Sequence, residues 1–198
     1  MINIKKTFKI SIKLLIFLTL LISCSLKEKD STSVVLKDMQ IYKNGLSALE
    51  DENYKKAIIE FDNLSLNHPF SSLAKKSDIM TAYSLYQNNE IKKSISKLKI
   101  FIEMNPKDEF SDYAHYLLAM CYYIQVSNQG RDPSLSIKAL NSFMLIITKY
   151  PNSKYAKDSK LKIQYIKNSL ANNELEIGKF YLKKNAPAST IKRFKSIL

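Results

Sequence analysis

Glycine, proline, cysteine and histidine are all scarce in this chain, and each scarcity removes a class of structure or chemistry. Three glycines and five prolines in 198 residues are too few for a fold of many β-hairpins, whose tight turns draw on such residues. A helical chain needs far fewer. Two cysteines, Cys24 and Cys121, cannot form a disulfide framework. Cys121 falls in an apolar stretch with Leu117, Leu118 and Met120, where a buried thiol is expected. The two histidines, His68 and His115, stand without a carboxylate or cysteine at ligand spacing, so no metal site is expected. A glycine-rich phosphate loop, paired catalytic carboxylates and a nucleophile elbow are all missing. The chain therefore reads as a protein that holds other proteins, not as an enzyme, with no cofactor beyond a covalent lipid.

Lysine is abundant. The formal net charge is +13, and four lysines (Lys5, Lys6, Lys9, Lys13) fall in the first 13 residues, leaving 13 − 4 = +9 for the remainder. That balance suits an anionic surface or an acidic partner, and equally a soluble lysine-rich exterior. The lysines are dispersed with no run of five, so no nucleic-acid role is expected. Of the basic residues, 29 are lysine and only Arg131 and Arg193 are arginine. In such a chain a fork-shaped guanidinium has a specific use where a carboxylate must be gripped.

Residues 1–23 read as an export signal. Lysines precede the apolar run Leu14 to Ile22, which is far short of the roughly 20 residues that span a bilayer. The run closes on Leu21-Ile22-Ser23-Cys24, which resembles the bacterial lipobox, in which the cysteine thiol is acylated and becomes the first mature residue. Ser25 stands where an aspartate would, by resemblance to Gram-negative sorting, retain a lipoprotein on the inner membrane. The periplasmic face of the outer membrane is the expected address, through a lipid anchor on Cys24. Residues 24–33, the cysteine and a polar stretch without periodicity, read as a tether.

The mature chain repeats itself. From Gly45, offsets of 12, 16 and 24 reach Ala57, Phe61 and Pro69; from Ala82 they reach Ser94, Leu98 and Pro106. From Ala119, after eight extra residues, they reach Ala139, Phe143 and Pro151. These are the small, alanine, aromatic and proline positions of a tetratricopeptide repeat. Small residues let helices A and B approach, the large one fills the gap between hairpins, and proline occupies the turn after helix B. The expected fold is an all-α right-handed superhelix over residues 34–198, with repeats at about 35–69, 70–106 and 107–151. An extra helix at 153–170 and a fourth hairpin at 172–198 follow, the latter placing Gly178, Thr190 and Phe194 at the repeat positions. The next proline would fall beyond the last residue, so the expectation is an early stop or a shortened fifth repeat. Ile124 to Pro133 reads as an insert loop carrying Arg131, Asp132 and Pro133, with Asp132 capping the following helix.

Helix A of such a repeat lines the concave surface. Offsets of −6, −3, +1 and +4 from the small position put Met39, Tyr42, Leu46 and Leu49 there, then Lys76, Ile79, Tyr83 and Tyr86, then Tyr113, Tyr116, Met120 and Tyr123. Six of these twelve are tyrosine. They either pack between hairpins or form a groove in which phenol rings grip extended, aromatic-bearing peptides.

Several local strings stand out, of which Pro69-Phe70 and Arg131-Asp132-Pro133 are more specific than the repeat. The strings are His68-Pro69-Phe70-Ser71, Asp112-Tyr113-Ala114 with Tyr116, Arg131-Asp132-Pro133, Tyr150-Pro151-Asn152-Ser153 with Tyr155, Ala156 and Asp158, Gly178-Lys179-Phe180-Tyr181, and Arg193-Phe194. With the lipobox they resemble the BamD (ComL) lipoprotein family of the bacterial outer-membrane protein assembly machinery over nearly the whole chain. The resemblance implies five repeats, of which the amino-terminal ones receive unfolded β-barrel precursors. It implies that the carboxy-terminal part docks on the periplasmic domains of the barrel assembly protein. It matches Arg193 to a family arginine that contacts an acid on that protein, with Lys192 and Tyr181 beside it. A lipid-anchored adaptor for cell-wall or division proteins is the alternative on the same repeats.

Overall fold

A computed structural model describes residues 31–129 and 133–197, with the side chains of 33–126 and 133–197. Cys24, Arg131 and Asp132 therefore lie outside the described residues, as does the capping role expected of Asp132. Among the described residues there are eight helices and no strand: α1 Ser31–Glu50, α2 Tyr54–Asn67, α3 Ala74–Gln87, α4 Ile91–Met104, α5 Ser111–Gln129, α6 Pro133–Lys149, α7 Tyr155–Lys183 and α8 Pro187–Lys195. The hairpin unit runs over Asp38–Leu198. None of these helices is long and apolar enough to cross a membrane.

Two kinds of turn, each used repeatedly, generate the hairpins. Between helices A and B the chain passes through a left-handed residue: Glu52 at φ 54°, Asn89 at 61° and Asn185 at 51°. In each case the next amide reaches back five residues, Asn53 to Ala48, Glu90 to Leu85 and Ala186 to Tyr181. This 6→1 bond satisfies carbonyls that the helix end would otherwise leave open. After helix B the chain makes a β-turn with proline at its second position. The amides of Ser71, Asp108 and Ser153 donate to the carbonyls of His68, Asn105 and Tyr150, around Pro69, Pro106 and Pro151. The side chains of Ser71, Asp108 and Ser153 then accept from the amides of Leu73, Phe110 and Tyr155, which starts the next helix A. Sequence spacings of 37 and 45 between these turns are the spacings of the prolines.

Packing follows the small-large code. Phe61, Leu98 and Phe143 are fully enclosed, each in its own core cluster. Ala82 and Ala119 lie opposite Leu98 and Phe143 in the repeat, and both are buried. Ser94 takes the second small position and donates to the Ala82 carbonyl at 2.7 Å, so helix B crosses helix A at hydrogen-bonding distance. Polar ties link successive hairpins: Lys97, which holds Asp78 of its own hairpin at 3.3 Å, reaches Asp62 at 2.7 Å, Lys75 reaches Asp108 at 2.9 Å, and Ser153 reaches Asp112 at 2.6 Å.

Three expectations change. The extra helix and the fourth helix A are one continuous helix, α7, of 29 residues. Ala171-Asn172-Asn173 contains no glycine or proline, and asparagine alone costs too little helix propensity to stop a chain that packs along its length. The polar stretch through residue 33 is helical from Ser31 onward. Pro133, assigned to the insert loop, is the first residue of α6, a position where its missing N–H costs nothing.

Candidate functional site

Tyr113, Tyr116 and Tyr123 fall on one stripe of α5, since helical neighbours three, seven and ten residues on share a face. The same spacing recurs in α7 as Tyr155, Asp158, Lys162 and Tyr165. Because α5 packs against α7, the two stripes engage each other. Tyr155 stacks on Tyr116 at 4.7 Å between ring centroids and tilts against Tyr113 at 5.3 Å. The Tyr116 hydroxyl donates to Asp158 Oδ2 at 2.8 Å, and Lys162 approaches the same carboxylate at 3.9 Å. The Lys162 ammonium also sits 5.2 Å over the Tyr123 ring, and Tyr165 meets that ring edge-on at 6.0 Å. On α3, which packs against α5, the Tyr83 hydroxyl accepts from Gln87 at 2.9 Å, and Tyr83 and Tyr86 border the core beneath Tyr113.

Burial and hydrogen bonding move four of these phenols further from ionisation. Burial raises the pKa of Tyr113, and neighbouring phenols add to the effect. Burial followed by the bond to Asp158 raises that of Tyr116. Tyr86 and Tyr123 shift the same way, first through burial. A row of uncharged rings with hydroxyls at the rim offers apolar area and directional hydrogen bonds together. Tyr165 is 63% exposed, so its ring is available to a ligand.

The structure places the tyrosines named from the sequence in different surroundings. Tyr42 is 5% exposed, with its ring 5.4 Å from Phe61 and beneath the Lys76 ammonium; it belongs to the first core. Ile79 is likewise buried. Tyr83, Tyr86, Tyr113, Tyr116 and Tyr123 are half-buried, so each packs on one side and presents an edge on the other. Tyr155 and Tyr165 were missed as partners, although the ten-residue spacing of Tyr155 and Tyr165 matches that of Tyr113 and Tyr123.

In the α7–α8 hairpin, Arg193 finds a carboxylate within its own chain. Its Nη1 donates to both oxygens of Glu174 at 3.0 and 3.2 Å, and Ser196 Oγ reaches the same group at 3.2 Å. Arg193 thus has an internal partner that sequence reasoning did not name: Nη1 is engaged by Glu174, while Nη2 and Nε make no hydrogen bond among the described residues. Lys192 is exposed and Tyr181 half-buried.

The histidines and the thiol have structural surroundings. His68 Nδ1 lies 2.9 Å from the buried Asp38 Oδ1, a close electrostatic contact without hydrogen-bond alignment, joining α1 to the turn after α2. Thirty residues separate the pair, beyond any local ligand spacing. His115 packs on Tyr150 at 5.6 Å. Burial pushes the Cys121 thiol up to about 11, which makes it a poor nucleophile.

Comparison with known proteins bears on this architecture directly. The family model described as outer membrane lipoprotein (YfiO) matches residues 35–198. The outer membrane protein assembly factor BamD of Rickettsia prowazekii (strain Madrid E) is 36% identical over 193 residues, covering 98% of this chain and 76% of the relative. BamD of Caulobacter vibrioides is 33% identical over 158 residues, covering 80% of this chain and 52% of that protein. BamD of Vibrio cholerae is 27% identical over 192 residues, covering 90% and 78%. This chain thus spans between half and about three-quarters of the length of these relatives. The chain belongs to the outer membrane lipoprotein family whose model it matches.

Proposed function

We propose that this member of the outer membrane lipoprotein family is an assembly factor for outer-membrane proteins. It is held at the periplasmic face of the outer membrane by lipid on Cys24. The face built from α3, α5 and α7 receives unfolded barrel precursors, and the α7–α8 hairpin docks on the barrel assembly protein. Family membership supports the assembly role. The observation that carries the binding role is the double tyrosine stripe of α5 and α7, which presents neutral aromatic edges in a line suited to an extended chain with aromatic side chains.

Docking rests on Arg193, with Lys192 and Tyr181 beside it. An arginine offers donors along two edges, and Glu174 uses one nitrogen only, so a second carboxylate has Nη2 and Nε to grip. The test is the affinity of the full chain for the periplasmic domains of the barrel assembly protein. Arg193→Ala weakens it by about 2–5 kcal/mol and Arg193→Lys restores part of the loss. Glu174→Gln, which removes the internal charge but keeps the arginine, retains binding. Equal affinity for all four proteins removes this hairpin from the interface. For the anchor, Cys24→Ser abolishes acylation, and a lipid-free, membrane-extracted wild-type chain contradicts it.

A further inference from the structure

Helices α4 and α6 pack against the A helices on either side of them and α2 against α3, with α2 also sharing a core with α1, and all three leave their remaining faces open. Those open faces share an unusual composition. On α2 the exposed residues include Ile59 and Leu66 with Lys55 and Lys56. On α4 they include Ile100 and Met104 with Lys92, Lys93 and Lys99. On α6 they include Ile137, Met144 and Leu145 with Lys138 and Lys149, and α6 contains no acidic residue at all.

Across the three faces, seven exposed lysines meet one exposed acid, Glu103. The remaining carboxylates on this side are half-buried: Asp62 is held by Lys97, which also holds Asp78 of α3, and Glu60 lies on α2. Of the lysines, Lys93 pairs with Glu90 and Lys149 sits over the Tyr150 ring at 5.2 Å. The large apolar side chains are far from token exposure, with Leu66 at 70%, Met104 at 74% and Ile100 at 60%. Excess positive charge interleaved with exposed aliphatic side chains, repeated on three successive helices, is the pattern of a surface that lies on anionic lipid. Lysine stems cover apolar ground while their ammonium groups reach phosphates, and short aliphatic chains enter the headgroup layer. An acidic protein would account for the lysines but would leave the aliphatic chains without a shaped partner.

We propose that the outer faces of α2, α4 and α6 rest against an anionic lipid headgroup layer, leaving the tyrosine face turned away from it. This rests on the reading that the chain is held at the outer membrane. It adds an orientation: electrostatic adhesion holds the tethered body flat, so the peptide-receiving edge faces the aqueous side.

The test places an environment-sensitive fluorophore at Asn141→Cys on the outer face of α6, or at Gln87→Cys beside Tyr83, in the full chain. Cys121 is fully enclosed and does not compete for label. The chain is reconstituted with phosphatidylethanolamine/phosphatidylglycerol vesicles carrying a headgroup quencher, or with phosphatidylcholine vesicles. The Asn141 probe is quenched in the phosphatidylglycerol vesicles at least about fivefold more strongly than in phosphatidylcholine, since each lysine near an anionic surface adds measurably to binding. About 1 M salt, where the Debye length is about 3 Å, abolishes the difference. The Gln87 probe shows neither effect. Lys138→Glu together with Lys99→Glu reverses the Asn141 quenching, with unchanged helical circular dichroism. Equal quenching at the two sites, or quenching indifferent to phosphatidylglycerol, overturns the proposal, as does protection of Asn141 only on adding an acidic protein. Loss of the whole chain from phosphatidylcholine vesicles on washing indicts the lipid anchor, and the probe comparison on phosphatidylglycerol vesicles still decides the orientation.

Discussion

Phe61 lies so close over Gly45 that a β-carbon on the glycine would sit 2.6 Å from its ring. The same approach recurs at Gly178, where the distance to the Phe194 ring would be 2.3 Å. The two sites differ in what the ring can do about it. Phe61 is fully enclosed, whereas Phe194 is half-buried and can swing outward. Alanine at a helical glycine gains up to about 1 kcal/mol from propensity, and overpacking a rigid core costs about 1–3 kcal/mol. Gly45→Ala therefore lowers the urea midpoint, and Gly178→Ala lowers it less or not at all. A higher midpoint for Gly45→Ala contradicts this packing.

Acid sensitivity has a named source in His115. Burial first, then the Lys149 charge, holds its pKa below the usual histidine value. The unfolded chain therefore binds the proton before the native chain does as pH falls. Above about pH 6.5, the ordinary histidine pKa, the residue contributes no pH dependence. Stability then declines as pH drops from there toward the lowered native pKa, and the loss levels off below it. His115→Gln flattens that segment of a stability–pH profile measured by denaturant titration. An unchanged slope assigns the acid lability elsewhere.

On the proposed binding face the tyrosines are expected to separate into those that hold the fold and those offered to a ligand. Tyr113 is wedged against Tyr155 and the second core, so Tyr113→Ala lowers stability by about 2–4 kcal/mol, in the range of large-to-small core changes. Tyr165 meets the edge of Tyr123 and is largely exposed. Tyr165→Ala leaves the melting temperature nearly unchanged and weakens binding of aromatic-ended barrel peptides by about 1–3 kcal/mol. Isothermal titration and thermal melts of the two variants check both halves; identical profiles contradict the division.

Much of this was legible in the sequence because turns and close crossings leave fixed residues. Pro69, Pro106 and Pro151 marked the turns after helix B, and Gly45 with Phe61 marked the first crossing. The pattern gave little warning at Asn172, where tertiary packing along α7 overrode a weak polar break. Tyr42 was misread because a fixed helical offset does not say on which side a neighbouring hairpin closes. Glu174 escaped notice as the partner of Arg193 because 19 residues and a helix reversal separate them.

The most direct measurement places a photo-crosslinking residue at Tyr165, and separately at Tyr83, in living cells and identifies the adducts by mass spectrometry. Both positions edge the same tyrosine face, and Tyr165→crosslinker retains the fold because its ring is largely exposed. Unfolded outer-membrane β-barrel precursors dominate the adducts at both positions if this face receives them, and the yield falls when Tyr123→Ala is added. Adducts made only of cell-wall or division enzymes, or a yield indifferent to Tyr123, contradict the account.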